Sequence, residues 1–295
     1  MKRADRSSLI ISAPIWLLVA IVYVGPLVWT IALSFTASRT LPTAQFVGLA
    51  QYRRLWASER WLEALAHLSV YGVMFVGVSV GLGLALAILI DQRVRGEAAL
   101  RAAFLFPSAA SLVVTGLVWQ WIMNPMLGLQ HAVRAWGWSG FTFDWATRPA
   151  TAIFALVIAG VWQASGIVMA ILLASLRRID PEIWSAARID GVPTHRVYAS
   201  IIVPQLIPAL LSVTVLLLVA VIKVYELVVA LTRGGPGTAS DMPALFVMDY
   251  LFLRQNVGLA CAASVVLLAI VCATAAPIHY LRLRRAAIRN GRSSA

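Results

Sequence analysis

The chain has 295 residues, of which 61% are hydrophobic and only 12% are charged, and its mean hydropathy is +0.85. Soluble domains carry about a quarter charged residues, so this composition excludes an ordinary soluble protein and indicates an integral membrane protein. The formal net charge of +12 comes from basic residues divided among short loops, which argues against a nucleic-acid-binding face.

Six apolar runs, taken in chain order, predict six transmembrane helices. The runs cover residues 9–36, 65–90, 103–124, 151–176, 207–232 and 257–281. A helix needs about 20 apolar residues to cross the hydrocarbon core, and none of the runs shows the alternation that the strands of a β-barrel require. We therefore expect an all-α, polytopic membrane protein in which residues 1–295 form a single transmembrane domain.

The basic residues predict the orientation of these helices. Fifteen of the 24 Lys and Arg residues lie at the amino end, in the 91–102 and 177–206 loops and at the carboxyl end, whereas eight lie in the three other loops. Because basic loops stay on the cytoplasmic side, both termini and the 177–206 loop are expected to be cytoplasmic. The predicted location is the inner (cytoplasmic) cell membrane, in contact with lipid.

Residues 242–281 form a segment too long for one span, since forty helical residues would extend about 60 Å. We expect a break near Gly258, with residues 243–256 lying along the outer membrane interface.

The 177–206 loop contains signals for two short helices. Asp180 is a good N-cap and Pro181 suits the first helical position, which predicts a helix over 181–189. Gly191 can end this helix in the left-handed conformation, and Pro193 can begin a second short helix. Such a helix pair either docks a partner protein or rests on the membrane surface.

Three residues of the fifth run are candidates for a polar pathway. Lys223, Tyr225 and Glu226 fall in the middle of the predicted helix, where charges are costly and normally face a bundle interior or a wet cavity. Lys223 and Glu226 are three residues apart and can pair, so they either neutralise each other or leave Glu226 to accept hydrogen bonds from a solute.

Further polar residues lie on the third and fourth runs. Trp162, Gln163 and Ser165 could stack on and hydrogen-bond a solute, although ordinary interhelical contacts explain such residues equally well. Gln120 and Asn124 are interpreted as interhelical contacts.

Nothing in the chain predicts an enzyme. The only lysines are Lys2 and Lys223, and neither belongs to a phosphate-binding loop of the type that binds ATP. The four histidines are scattered and predict no metal site. Any ATP hydrolysis is therefore expected from a partner.

The polar loop carries a recognisable motif. Its residues are Ala186, Ala187, Asp190, Gly191, Tyr198, Ile201, Pro204 and Pro208. Their order and spacing resemble the cytoplasmic coupling-loop signature of permease subunits of binding-protein-dependent ABC importers. Ser185 replaces the usual glutamate of this signature, and Tyr198 replaces its phenylalanine. The resemblance favours docking, and it implies that an ATPase subunit is contacted by Ser185, Ala186, Ala187, Asp190, Gly191, Tyr198 and Pro204.

Other elements extend the resemblance over residues of about 46–281. Residues 46–52, 101–107 and 232–236 are similar, in this order, to elements of the carbohydrate branch, the maltose- and glycerol-phosphate-type permeases. The resemblance implies half of a heterodimeric pathway that imports a sugar or polyol, and a substrate pathway that includes Trp162, Gln163, Ser165, Lys223, Tyr225 and Glu226.

The same resemblance implies the partners. They are a second, related permease, cytoplasmic ATPase subunits and an extracytoplasmic binding protein. ATP and Mg²⁺ would be bound by the ATPase, and this chain would bind no cofactor. The alternatives are an importer of another solute, such as phosphate or an amino acid, and an ion channel, which would need a ring of pore-lining charges.

Overall fold

The computed structural model describes residues 14, 16–92 and 95–292. Within these residues the helices, numbered α1 to α13, are Trp16–Ser34, Ala50–Trp56, Glu59–Asp91, Glu97–Ala109, Leu112–Ile122, Leu129–Ala135, Ala152–Leu176, Pro181–Ile189, Thr194–Gln205, Ile207–Ile222, Tyr225–Leu231, Pro243–Leu253 and Val257–Arg292. The described residues contain no β-strand, only one isolated β-bridge between Thr36 and Phe46. The predicted all-α class is confirmed for this part of the chain.

Four helical segments are long and apolar enough to cross a membrane. They are α1, α3, α7 and Val257–Thr274 of α13. Two bent pairs, α4 with α5 and α9 with α10, raise the number to six if each pair counts as one span. The start of the first predicted run, residues 9–13 and 15, lies outside the described residues.

The third predicted run is not one continuous helix, which corrects the sequence interpretation. Helix α4 ends at Ala109, α5 begins at Leu112, and the two are bent by 101°. Ala110 is extended, with ψ 146°, and the Ser111 hydroxyl accepts a hydrogen bond from the Val114 N–H at 3.2 Å. Ser111 is thus the N-cap of a new helix.

The fifth predicted run is also interrupted. Helix α10 ends at Ile222 and α11 starts at Tyr225, so Lys223 and Glu226 do not lie in the middle of one helix as predicted. Lys223 is the residue after α10, with φ −89° and ψ 17°. The break turns the backbone at the point where the charged residues occur.

The break expected near Gly258 is present. Helix α12 ends at Leu253 and α13 starts at Val257, after a turn in which Gln255 has a positive φ of 50°. The Gly258 N–H donates to the Ser38 carbonyl at 2.8 Å, which ties the start of α13 to the loop after α1.

The described chain forms two compact units, one within residues 1–62 and 246–269 and the other within 63–245 and 270–295. In the first unit the buried Trp61 ring packs on Phe246, with ring centroids 5.2 Å apart, and Arg60 forms a 2.6 Å ion pair with Asp249. The start of α3 and α12 are thereby joined inside that unit.

Helix α7 forms the centre of the second unit, and small residues allow its neighbours to approach closely. A Cβ at Gly160 would lie 2.7 Å from the Tyr71 hydroxyl of α3, and one at Gly166 would overlap the Phe104 carbonyl of α4. The bent α4–α5 pair therefore crosses α7 at a position where only glycine fits.

We predict that Gly166→Ala will destabilise the helix packing by about 1–3 kcal/mol, the usual cost of overpacking, since a backbone carbonyl cannot rotate away. The same change at Gly81 of α3, where a Cβ would meet no atom within 4 Å, is the matched control. Thermal unfolding of the two detergent-purified variants measures the difference. Equal melting temperatures would show that α4 does not press on α7 at Gly166.

Candidate functional site

The first of the two coupling-loop helices has the predicted bounds. An Asp180 carboxylate oxygen accepts from the Glu182 N–H at 2.9 Å, and α8 runs from Pro181 to Ile189. Gly191 has φ +66°. The Val192 N–H donates to the Ala187 carbonyl at 3.0 Å and the Gly191 N–H to the Arg188 carbonyl at 3.2 Å, which is the Schellman pattern that ends a helix.

One face of α8 packs on its own chain. Ala187 is 6% exposed and lies in an apolar cluster with Leu176 of α7 and Val197 and Ile202 of α9. The Trp184 and Tyr198 rings meet edge to face, with centroids 5.1 Å apart. The small size of Ala187 therefore lets the two coupling helices approach each other, and any partner of α8 must contact the opposite face.

The opposite face of α8 and its end are exposed. The exposed residues are Pro181, Glu182, Ser185, Ala186, Arg188, Ile189 and Asp190. Ile189 is 86% exposed, which is unusual for a large apolar side chain at the tip of a loop. The Ser185 hydroxyl donates to the Pro181 carbonyl at 3.3 Å and so remains within its own helix. Pro204 is exposed on the last turn of α9, before the 66° bend into α10.

A polar network fixes the helix pair to the adjacent helices. The Tyr198 hydroxyl accepts from the Gln92 amide at 2.9 Å and lies 3.5 Å from the Asp91 carboxylate. Burial, followed by the Asp91 charge, raises the pKa of Tyr198, so it stays a neutral donor. Arg177 lies 2.8 Å from Glu97 and 3.7 Å from Asp91. This network thus connects α9 with the ends of α3 and α7 and with the start of α4.

Tyr225 and Glu226, at the start of α11, line a groove, whereas Lys223 is not among the residues that line it. Lys223 and Glu226 are exposed, Tyr225 is half-buried, and no ion pair joins Lys223 to Glu226 in the described chain. The groove has a volume of about 270 Å³, and α5 and the residues around α11 form its walls. Its polar lining residues are Gln120, Tyr225, Glu226 and Arg233.

Trp162, Gln163 and Ser165 of α7 are engaged by neighbouring parts of the chain. The Trp162 ring contacts Trp119 edge to face at 6.1 Å, and the Gln163 amide donates to the Ala110 carbonyl at 2.9 Å. Ser165 is buried and donates to the Trp162 carbonyl at 3.3 Å. None of the three lines the groove beside Glu226.

A second cavity of about 610 Å³ lies beyond this groove and shares Gln120 with it. Its polar and aromatic lining residues are Gln120, Trp121, Asn124, Thr147 and Thr232. The Asn124 side chain accepts from the Met126 and Leu127 N–H groups and so caps a turn. Gln120 was interpreted from sequence as an interhelical contact, but its amide forms no hydrogen bond within the described residues.

The chemistry offered by the two cavities is hydrogen bonding. Their polar groups are amides, hydroxyls, one carboxylate and one guanidinium. Among the described residues, no three His, Cys, Asp or Glu side chains are placed to hold a metal ion. These groups suit the recognition of a hydroxyl-rich solute.

Apolar helices long enough to cross a membrane, a pair of short helices and a polar groove are features expected of a membrane transport subunit. Comparison with known proteins identifies the family. The sequence profile of the binding-protein-dependent transport system inner membrane components matches residues 77–286. The chain belongs to this family and is therefore a permease subunit of an ABC importer, a transport component and not itself an enzyme.

Similar proteins cover nearly the whole chain. A probable ABC transporter permease of Pyrococcus horikoshii is 36% identical over 90% of this chain and 92% of its own length. A xylose/arabinose import permease of Haloferax volcanii is 31% identical over 95% of this chain and 90% of its own length. A chain of a bacterial ABC transporter for the polysaccharide alginate shares the fold, with a TM-score of 0.83, 17% identity and coverage of 96% and 98%.

Proposed function

We propose that this chain forms one half of the translocation pathway of a sugar or polyol importer, with a second, related permease as the other half. The observation that carries the proposal is the exposed Glu226 on the groove between α5 and α11. Charges inside a membrane face a wet pathway or a protein partner, because lipid solvates them poorly. A sister permease placed against this surface would close the groove into a pathway.

The substrate class follows from the groups that line the groove. A carboxylate, an amide and a phenol can accept and donate hydrogen bonds to several hydroxyl groups at once. The relative from Haloferax volcanii is named for xylose and arabinose. Import of a non-sugar solute is the second candidate, since a carboxylate and a guanidinium together could also bind a zwitterion such as an amino acid.

The proposed orientation has six membrane crossings, formed by the four long segments, the bent α4–α5 pair and α10, with α9 in the cytoplasmic coupling loop and both termini in the cytoplasm. The basic residues of the termini and of the coupling loop support it. Helix α7 has 25 residues and rises about 37 Å, enough to cross the bilayer core. The coupling helices follow one end of α7, and the 610 Å³ cavity includes residues just before the other end.

In this arrangement an ATPase subunit binds the exposed face of α8, and an extracytoplasmic binding protein delivers the solute to the opposite end of α7. ATP and Mg²⁺ stay on the ATPase. The Ala187 cluster and the Arg177 network join the coupling helices to α3, α4 and α7, so closure of the ATPase would move these helices together and switch the access of the pathway.

Reconstitution in proteoliposomes tests this function. We predict no ATP hydrolysis by the purified chain alone, because the described fold and the sequence contain no phosphate-binding loop with its lysine. Hydrolysis and uptake of radiolabelled sugar should appear only with the sister permease, the ATPase and the binding protein added. The binding protein is first screened by calorimetry against xylose, maltose, glycerol 3-phosphate and the common amino acids.

A complex whose ATPase carries a substituted phosphate-binding lysine is the control for energy coupling. ATP hydrolysis by the rigorously pure chain, or uptake of amino acids with no uptake of any sugar, would overturn the proposal.

A further inference from the structure

The groove beside Glu226 and the 610 Å³ cavity lie next to each other along the contact between α5 and α11. Val113, Leu117 and Gln120 lie on successive turns of α5 and line the groove, and Gln120 with the next turn lines the cavity. A Cβ at Gly116 would meet the Ala230 side chain of α11, so the two helices touch along this line. Gln120 is therefore the residue through which the linings of the two spaces meet.

Glu226, in the first turn of α11, lines only the groove, and Leu231 and Thr232, at the end of this helix, line only the cavity. Arg233, the next residue, lines the groove again. Leu231 lies five residues after Glu226 along the helix, which is a rise of about 7.5 Å. This spacing is comparable to the length of one sugar ring, so a solute in the cavity would be displaced from Glu226 by roughly its own length.

Gln120 differs from the other polar residues of the cavity because its side chain has no hydrogen-bond partner in the described chain. The Thr147 hydroxyl donates to the Asp144 carbonyl at 2.8 Å, and the Thr232 hydroxyl donates to the Val228 carbonyl and accepts from Ser240. Asn124 caps its own turn. The Gln120 amide can therefore offer both its donors and its acceptor to a solute.

An aromatic side chain stands beside this amide. Trp121 is 69% exposed and is the largest side chain lining the cavity. An indole can offer an apolar face to the C–H groups of a sugar ring, and a neighbouring amide can hydrogen-bond its hydroxyls. A volume of about 610 Å³ lies within the range of small-molecule sites, which is about 300–1,000 Å³.

We propose that this cavity is a second substrate site, which binds a hydroxylated solute such as a sugar ring before the solute reaches the groove beside Glu226. Gln120 contacts the solute in both places and contributes to specificity. The direction of movement and the substrate class rest on the function proposed above.

The test compares two glutamines that differ in their protein contacts. Gln120→Met and Gln163→Met are each reconstituted with the sister permease, the ATPase and the binding protein, and uptake of radiolabelled xylose and maltose is measured. Gln120→Met should lower uptake by about five- to tenfold, as expected for the loss of a hydrogen bond to the solute, with no change in melting temperature. It should also change the ratio of maltose to xylose uptake, since a disaccharide extends over both sites.

Gln163→Met removes the bond to the Ala110 carbonyl, so it should lower the melting temperature and leave the maltose-to-xylose ratio unchanged. Trp121→Ala provides a second probe of the cavity and should also change that ratio. The inference is overturned if Gln120→Met and Trp121→Ala both transport at the wild-type rate and ratio, or if Gln120→Met lowers only the melting temperature.

Failure of the inference can be told apart from failure of the proposed function. If the wild-type complex takes up no sugar or polyol at all, the function itself is wrong and the second site falls with it. If the wild type transports and Glu226→Gln is defective while Gln120→Met is normal, the function stands and the second site alone is wrong.

Discussion

Glu226→Gln is expected to reduce sugar uptake by about 10- to 100-fold while the transporter still assembles. The substitution keeps the shape of the side chain but removes the charge, and a hydrogen bond to a charged group is worth about 1.5–3 kcal/mol. Glu226 is exposed on the groove and has no ion pair with Lys223 in the described chain. The carboxylate is therefore open to a solute. Uptake in proteoliposomes and size-exclusion chromatography of the complex measure the two properties.

Lys223→Met and the double variant with Glu226→Gln separate the two roles that the sequence left open. If the residues form a structural pair in the assembled transporter, either single change leaves a buried charge unpaired and destabilises the complex, and the double change restores it. If Glu226 binds the solute, the double variant assembles but still transports poorly. Full transport by the double variant would assign the pair a structural role and remove Glu226 from the solute site.

Gly191→Val is expected to uncouple ATP hydrolysis from transport. Gly191 has φ +66°, and a Cβ there would meet no atom within 4 Å, so the cost is backbone strain alone, about 1–2 kcal/mol. That strain acts on the Schellman turn that orients α8 against α9. The measurement is the number of sugar molecules transported per ATP hydrolysed, which should fall severalfold while α7 and its neighbours stay folded.

Gly191→Asn is the matched control, because asparagine adds a larger side chain than glycine but tolerates the left-handed conformation. It should retain most of the coupling. If the valine and asparagine variants transport equally well, the turn at Gly191 does not determine the position of the coupling helix.

The coupling loop could be predicted from sequence almost to the residue because its signals are local. Asp180, Pro181 and Gly191 each determine the backbone at their own position, and helix α8 begins and ends where they indicate. The break between α12 and α13 was predicted from length alone. The bounds of these helices could therefore be predicted without knowing which residues pack against them.

The breaks in the third and fifth runs could not be predicted in the same way. The α4–α5 bend depends on contacts with α7. Gly166 has no side chain and so leaves room for the Phe104 carbonyl, and the Gln163 amide donates a hydrogen bond to the Ala110 carbonyl at the break. The local signals were Ser111, a usual N-cap residue, and Pro107 in the last turn of α4. At Lys223 the chain has neither glycine nor proline, so the interruption has no local signal.

The candidate site was predicted in part. Tyr225 and Glu226 line the groove, as expected of polar residues in a membrane segment. Trp162 and Gln163 had a solute-binding and a packing interpretation, and their contacts with Trp119 and Ala110 favour packing. Gln120 was assigned to packing, because a sequence does not reveal whether an amide finds a protein partner. Only the geometry distinguishes these two glutamines.

Because α8 has one packed side and one exposed side, it affects which ATPase subunit an importer can pair with. Its inner side is fixed by the contacts of Ala187 and Trp184 with α9, whereas Ser185, Ala186 and Ile189 on the outer side have no role in that packing. If the ATPase docks there, as proposed, substitutions on the outer side can change which ATPase binds without changing the backbone conformation of the loop. Two importers in one cell can therefore share an ATPase, or keep separate ones, through a few side chains on a helix of nine residues.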